Sequence, residues 1–293
     1  MTGVQTCALQ ILHAHPDDET ISNGATMAKY VAEGAHVTLV TCTAGEEGEV
    51  IVADLAHVAA THEDRLAEIR QVELANAMQK LGVTDHRFLG GFGRFRDSGM
   101  MGTPQNQTAH SFWQADLLEA ATELVPVIRE VRPHVLVSYD EFGGYGHPDH
   151  IKAHRVAMYA YMLAAADGFR PELGASWLIS KVYWNANPRS LFMEGMQRLQ
   201  AMDLPFEMPA LNAEEFQFLC DDEIVTTEID GREFVDHKIA ALREHRTQLD
   251  VDTGFFAAMQ LMKDDAYGRE FYRLVVGTHA GDSRENDLFA GIQ

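Results

Sequence analysis

Short, almost continuous apolar runs alternate with longer segments of helical periodicity over the first half of the chain. Residues 8–14 and the β-branched run 36–42 have the length and apolarity of buried strands, and residues 21–32 between them repeat apolar side chains at helical spacing. Gly34 ends the helical segment. Strand, helix and strand in this order predict a βαβ unit, in which the two strands lie parallel in one sheet.

The same alternation continues further along the chain. It predicts a helix over about 62–81, a strand over 86–89, a helix over about 112–131, a strand over 134–139 and a helix over about 149–166. We therefore predict an α/β fold, with a Rossmann-like, mostly parallel sheet and helices on both faces. In open sheets of this kind, ligands bind beyond the carboxyl ends of the strands.

A change in composition near residues 168–171 predicts the start of a second unit. The pattern after it predicts a strand over 177–184 and helices over about 190–202 and 235–249, whereas residues after about 250 show no clear periodicity. The predicted organisation is a Rossmann-like core over residues 1–168 and a smaller C-terminal α+β unit over residues 169–293.

The net charge of the chain argues against two classes of binding partner. The chain has 293 residues, with 44 Asp and Glu against 23 Lys and Arg, which gives a formal net charge of −21. Nucleic-acid binding draws its affinity from Lys and Arg that neutralise phosphates, so this excess of acid argues against a nucleic acid and against an anionic membrane surface as partner. The sequence also has no run near the ~20 apolar residues that span a bilayer.

The cysteines bear on the compartment. Cys7, Cys42 and Cys220 are odd in number, widely spaced and form no C-x-x-C pair. This usage fits a reducing cytosol better than a disulfide framework, so we predict a cytoplasmic location.

Two clusters of His and Asp follow two of the predicted strands. HPDDE (15–19) comes after the first strand, and HPDH (147–150) comes after the strand 134–139. A single His beside an Asp usually belongs to a surface loop or caps a helix. Two such clusters at the carboxyl ends of parallel strands instead predict a metal centre that retains an open position for water, as in metal-dependent hydrolases.

His15, Asp18 and His150 supply two imidazoles and one carboxylate. This set suits Zn²⁺ or Fe²⁺ better than Mg²⁺, which prefers oxygen ligands only. Two adjacent aspartates cannot both reach one metal with equal ease, so Asp17 is a candidate general base for a water at the metal. Capping of the following helix is the alternative role for Asp17 and for Glu19.

The second cluster offers further polar groups. His147 could be a fourth ligand or a hydrogen-bond donor to a developing oxyanion, and we favour the donor because four protein ligands would leave no position for water. Asp149 could orient an imidazole from behind. Tyr145, in a glycine-rich loop, could reach in with its phenolic O–H or simply pack over the loop.

HAHPDDE (13–19) followed by GGYGHPDH (143–150) resembles the LmbE/PIG-L family of zinc-dependent N-acetylglucosaminide deacetylases, and in particular its mycothiol-pathway branch. The resemblance is looser over residues 163–230. Other segments that carry it are ETISNGAT (19–26), VTCTAGEEGEV (40–50), RFRDSGMMGT (94–103), RPHVLVSYD (132–140) and HRTQ (245–248).

The resemblance implies a role for each site residue. It implies Zn²⁺, with Fe²⁺ as the other possibility, as the cofactor on His15, Asp18 and His150. It further implies that Asp17 is the general base, that His147 and Tyr145 stabilise the oxyanion with Asp149 behind His147, and that Arg70 and Asp97 contact the sugar or inositol of the substrate.

The implied reaction is removal of the acetyl group from a GlcNAc-inositol, a small amino-sugar substrate whose pocket the C-terminal unit would complete. The alternatives are another GlcNAc-conjugate deacetylase or the mycothiol S-conjugate amidase. The amidase branch carries a Lys shortly after HPDDE where this chain has Ile21 or Ser22, which favours the deacetylase. A non-catalytic sugar- or nucleotide-binding module is a different class, and no G-x-G-x-x-G follows the first strand to support it. The oligomeric state stays open.

Overall fold

The computed structural model describes residues 6–202, 216–262, 267–281 and 283–292. Within these ranges one seven-stranded sheet has the order β3-β2-β1-β4-β5-β7-β6. The strands are β1 (Ala8–His13), β2 (His36–Thr41), β3 (Asp85–Phe88), β4 (Val135–Ser138), β5 (Lys181–Ala186), β6 (Thr227–Asp230) and β7 (Arg269–Val276).

The first five strands are parallel, and β7 pairs antiparallel with both β5 and β6. The predicted α/β fold with a mostly parallel sheet is therefore confirmed. β1 lies between β2 and β4, so the chain leaves it towards one edge and later returns to its other side. Such a reversal of strand order opens a crevice at the carboxyl ends of the two central strands.

Helices cover both faces of the sheet, as predicted. The helices are α1 (Asp18–Ala32), α2 (Leu66–Leu81), α3 (Leu117–Val131), α4 (Pro148–Ala165), α5 (Arg189–Gln200), α6 (Val235–Leu242) and α7 (Gly254–Leu261). Leu12, on one side of β1, belongs to a core shared with α3 and α4, whereas Leu9 and Ile11 belong to a core shared with α1, α2 and α6.

β1, which the HPDDE segment follows, is buried over its whole length. All six of its residues are buried, because helices cover the strand on both faces. Burial of each Leu or Ile side chain contributes roughly 1.5–3 kcal/mol. Since β1 and β4 lie side by side and run parallel, the segments that follow them and carry HPDDE and HPDH leave the sheet next to each other.

The C-terminal elements differ most from the predictions. β5 begins at Lys181 rather than at residue 177, and α6 ends at Leu242 rather than near residue 249. β6, β7 and α7 were not predicted. Strands β5, β7 and β6 extend the central sheet, and the division of the chain at residue 168 stays a prediction.

Cys7, Cys42 and Cys220 are free cysteines. Among the described residues, no helix combines the length and the apolarity that crossing a membrane requires.

Candidate active site

Three donor atoms from the two clusters meet at one point. His15 Nδ1 lies 3.3 Å from His150 Nε2, and Asp18 Oδ2 lies 3.3 Å from His15 Nδ1 and 3.4 Å from His150 Nε2. Tetrahedral ligands ~2.1 Å from a Zn²⁺-sized ion lie ~3.4 Å from one another. The three side chains therefore fit one metal ion of that size.

A tight turn fixes the orientation of His150. Its Nδ1 lies 3.2 Å from the Gly143 carbonyl, an arrangement that places the ring proton on Nδ1 and leaves Nε2 as the free donor atom. A Cβ at Gly143 would lie 2.6 Å from the Ile151 nitrogen, and the φ of Gly143 is +70°. Only glycine satisfies both conditions, which explains the glycine at this point of the loop.

Asp149 lies behind the other imidazole. Its carboxylate contacts His15 Nε2 at 3.2 Å and accepts hydrogen bonds from the Ser98 backbone N–H at 2.9 Å and from the Ser98 hydroxyl. The resemblance had placed Asp149 behind His147, but here its only hydrogen bond to that ring runs from the Asp149 backbone N–H. A carboxylate behind a ligating histidine fixes the ring and raises its basicity.

Sequence reasoning missed Tyr139, which directly follows β4. Its hydroxyl donates to Asp18 Oδ2 at 2.7 Å and accepts from the Ala14 N–H at 2.9 Å. Its ring stacks on His150 at a centroid distance of 4.3 Å. Its position at the carboxyl end of a strand next to β1 was the available signal.

The surrounding charges favour a cation at this point. Burial lowers the pKa of His15, but Asp97, Asp149 and Asp18 outweigh it and hold that pKa well above its usual value. Burial likewise raises the pKa of Asp18, but His150 and His15 hold it well below its usual value. A metal ion at the three donor atoms would take the place of the bound proton.

Asp17 has a strained backbone and a buried carboxyl group. Its φ is 120° and its ψ is −36°, which is unusual for a residue with a Cβ. Its Oδ2 lies 3.1 Å from Arg70 Nη2. Burial, only partly offset by Arg70, raises the pKa of Asp17 to about 6. The group is thus poised to gain or lose a proton near neutral pH.

Arg70, in α2, is almost fully buried, with a relative exposure of 3%. Besides Asp17 it donates to the Pro16 carbonyl and, at 2.9 Å, to the Gly45 carbonyl. A Cβ at Gly45 would clash with the Arg70 guanidinium, so the loop after β2 approaches this group closely. Arg70 therefore ties the HPDDE loop to the neighbouring loop.

Asp97 is buried beside the same cluster. Its Oδ1 lies 3.5 Å from His15 Nε2 and accepts from the Gly99 N–H at 2.8 Å, and its Oδ2 accepts from the Glu47 N–H at 3.2 Å. His15 holds the pKa of Asp97 well below its usual value against the effect of burial. Asp97 thus stays ionised next to His15.

His147 caps the N-terminus of α4. Its Nδ1 accepts the Asp149 N–H at 3.2 Å, so the neutral ring carries its proton on Nε2. Burial, with His15 and His150 nearby, lowers the pKa of His147 to about 3. The ring is therefore a neutral Nε2–H donor, and its centroid is 4.6 Å from that of His15.

Tyr145 lies at the mouth of the site. Its side chain is half-exposed, and its ring centroid is 5.0 Å from that of His150. A cavity of about 600 Å³, within the usual size for small-molecule pockets, opens beside it. Its lining combines Asp17, Asp18, Tyr145 and His150 with side chains from beyond residue 168, among them Asn185, Asn187, Leu191, Phe192, Met259 and Phe271.

The chain is similar to known proteins both at the level of a family and at the level of individual relatives. The family model PIG-L, described as GlcNAc-PI de-N-acetylase, matches residues 10–161. The 1D-myo-inositol 2-acetamido-2-deoxy-alpha-D-glucopyranoside deacetylase 1 of Catenulispora acidiphila is 58% identical over 287 residues, which cover 97% of this chain and 89% of that protein. The deacetylase of the same name from Streptomyces avermitilis is 56% identical and covers 97% of each chain.

Among solved structures, the N,N'-diacetylchitobiose deacetylase of Pyrococcus horikoshii aligns with a TM-score of 0.61. The alignment covers 95% of this chain and 87% of that one at 17% sequence identity. At this identity the likeness supports the fold alone.

Proposed function

The chain belongs to the PIG-L family, and from this premise we propose that it hydrolyses the N-acetyl amide of a GlcNAc-inositol, releasing acetate and the free glucosaminyl-inositol amine. The observation that carries the proposal is the meeting of His15, Asp18 and His150 beside a strained, buried Asp17. The named relatives, more than half identical over nearly the whole chain, support this substrate. A non-catalytic binding module would have no use for such an arrangement.

His15, Asp18 and His150 would hold the metal. Two imidazoles and one carboxylate, with donor atoms 3.3–3.4 Å apart, suit Zn²⁺, and Fe²⁺ is the second candidate. The bound metal supplies Lewis acidity, which polarises the amide carbonyl and makes a water molecule more acidic. Gly143 and Asp149 hold the two imidazoles in the orientation that ligation requires.

Asp17 acts as the general base and then as the general acid. Its carboxylate takes the proton of the attacking water and passes it to the nitrogen of the departing amine. A pKa raised to about 6 by burial lets the same group accept and return a proton near neutral pH. Without this proton the amine would leave as an unstable anion.

His147 and Tyr145 stabilise the oxyanion. The carbonyl oxygen gains negative charge as the water attacks, and the neutral Nε2–H of His147 donates a hydrogen bond to it. Tyr145 adds its O–H from the glycine-rich loop, where its half-exposed position leaves room to approach a bound substrate. Asp149 supports the site through His15 and Ser98.

The sugar and inositol occupy the cavity beside Asp17, which residues beyond position 168 complete. For Arg70 and Asp97, the burial of both side chains and their contacts within the protein favour support of Asp17 and His15 over direct contact with the substrate. A cytoplasmic location accords with a small soluble metabolite as substrate.

The test is acetate release from GlcNAc-inositol by the zinc-loaded protein, compared with cleavage of a mycothiol S-conjugate. We expect kcat/KM for deacetylation to exceed that for the conjugate by at least ~10-fold, a discrimination of ~1.4 kcal/mol between transition states. Faster cleavage of the conjugate would assign the chain to amidase activity instead. Release of neither product by a protein that retains its metal would overturn the proposal.

A further inference from the structure

A fully buried histidine from the C-terminal part of the chain lies behind the HPDDE loop. His245 follows α6, in the turn after Leu242, and has a relative exposure of 0%. Its Nε2 lies 3.1 Å from Glu19 Oε1 and 3.3 Å from Thr20 Oγ1. Within the described part of the chain its Nδ1 has no hydrogen-bond partner. The ring is therefore anchored on one side only, against Glu19 and Thr20.

Glu19 connects His245 to Asp17 through hydrogen bonds to its carboxylate. Its Oε2 accepts the backbone N–H of Asp17 at 3.0 Å, while its Oε1 accepts from the Thr20 hydroxyl at 2.6 Å and from His245. Glu19 is itself fully buried, so solvent cannot replace a hydrogen-bond donor that its carboxylate loses. Without His245, Oε1 would keep only the Thr20 hydroxyl as donor, so the buried carboxylate would be held less firmly in the position where it accepts the Asp17 N–H.

The Asp17 backbone needs such support. A residue with a Cβ at a φ of 120° is strained and keeps that conformation only when its surroundings impose it. The Asp17 carbonyl is held by the N–H groups of Thr20 and Ile21, and its carboxylate is held by Arg70. The Asp17 N–H is held by Glu19, and the structure shows His245 behind Glu19.

We propose that His245 is a positioning residue for the reaction: it fixes the Glu19 carboxylate, which fixes the Asp17 peptide and thereby aims the Asp17 carboxyl group at the water and the leaving amine. This inference rests on the proposed function, in which Asp17 is the general base. It goes beyond that function because His245 does not line the cavity, and its hydrogen-bond partners Glu19 and Thr20 neither line the cavity nor belong to the proposed metal ligands. Its action is through Asp17 alone.

The experiment compares three substitutions in the zinc-loaded protein. His245→Leu removes the donor, His245→Gln restores an N–H donor on a side chain of similar reach, and Thr247→Val is the matched control. Thr247 is a buried residue of the same turn that hydrogen-bonds Glu73 rather than Glu19, at 2.9 and 2.7 Å. The control therefore loosens the turn without touching the contact under test.

We expect His245→Leu to lower kcat for acetate release by ~10–100-fold, the usual range for residues that orient a group at a metal site, while KM and zinc content stay within about twofold. His245→Gln should recover most of the loss, and Thr247→Val should keep wild-type kcat. In a protein that already carries Asp17→Asn, His245→Leu should cause little further loss, because its effect acts through Asp17. Equal losses in both backgrounds would show a general structural role and overturn the proposal.

Hydrogen exchange at the Asp17 amide gives a second readout that does not depend on activity. Exchange should be at least ~10-fold faster in His245→Leu and unchanged in Thr247→Val, because only the first weakens the bond to Glu19. If His245→Leu does not fold, His245→Asn, whose shorter amide does not reach Glu19, replaces it in both measurements. If the wild type released no acetate, the proposed function would be refuted. If the wild type were active and His245→Leu showed wild-type acetate release and unchanged exchange at the Asp17 amide, the role of His245 would be refuted.

Discussion

Replacement of Arg70 by methionine should destabilise the protein and slow the reaction without weakening substrate binding. Methionine keeps the length and much of the apolar stem of arginine but has no hydrogen-bond donor. The substitution leaves the Asp17 carboxylate and the carbonyls of Pro16 and Gly45 without the guanidinium that now contacts all three.

The magnitude follows from burial. Arg70 is 3% exposed, and loss of one partner of a buried ion pair typically costs ~3–5 kcal/mol. Asp17 can take up a proton because its pKa is already raised to about 6, so the lower end of the range applies. At ~2–4 °C per kcal/mol for a chain of this size, we expect Tm to fall by about 6–12 °C.

Thermal unfolding and steady-state kinetics check this prediction. The kcat for acetate release should fall by ~10²-fold because Asp17 is no longer held, while KM stays within about threefold. Arg65→Met is a control on the same α2 region, since Arg65 pairs with Glu63 and Glu68 at the surface, and its Tm should stay within ~1 °C of wild type. A Tm close to wild type combined with a tenfold higher KM would refute the reasoning and show that Arg70 contacts the substrate.

Three further predictions concern the metal site and the reacting groups. His15→Ala and His150→Ala should each lose the metal and the activity while far-ultraviolet circular dichroism stays native, and full metal occupancy in both variants would contradict the ligand assignment. Asp17→Asn should retain the metal, measured by elemental analysis, and lose ~10²–10⁴-fold in rate; loss of metal in proportion to activity would make Asp17 a ligand. His147→Ala should lower kcat by ~10²-fold with zinc still bound, since one oxyanion donor contributes ~3 kcal/mol, and turnover within a few-fold of wild type would rule out that role.

The parallel part of the fold was predictable because its strands are buried on both faces and stand out as apolar runs. β1, β2 and β4 were found within about one residue of their bounds. β7 was not predicted, because its residues are mostly half-buried and its polar and apolar positions are mixed, as expected near a sheet edge. β6 was not predicted because Ile229 is its one apolar residue, so no apolar run marks the strand.

In the site, the two ligand clusters were predictable because each is contiguous in sequence and follows a strand. The supporting contacts were not, because they join segments that are remote in sequence. Asp149 meets Ser98 from another loop, Tyr139 meets Asp18 across the sheet, and His245 meets Glu19 from the far part of the chain. Sequence spacing carries no information on such pairs, and only the folded chain brings them together.

Because β7 lies between β5 and β6, the sheet can be completed only after β7 has been synthesised. The five parallel strands are complete once residue 186 has left the ribosome, but β5 keeps an open edge until β7, which ends at Val276, pairs with it. At usual elongation rates the roughly 90 residues between Ala186 and Val276 take about 5–20 s. During that interval the nascent chain exposes a strand edge that can recruit another copy. The contact between His245 and Glu19, behind the Asp17 loop, likewise forms only after residue 245 has emerged.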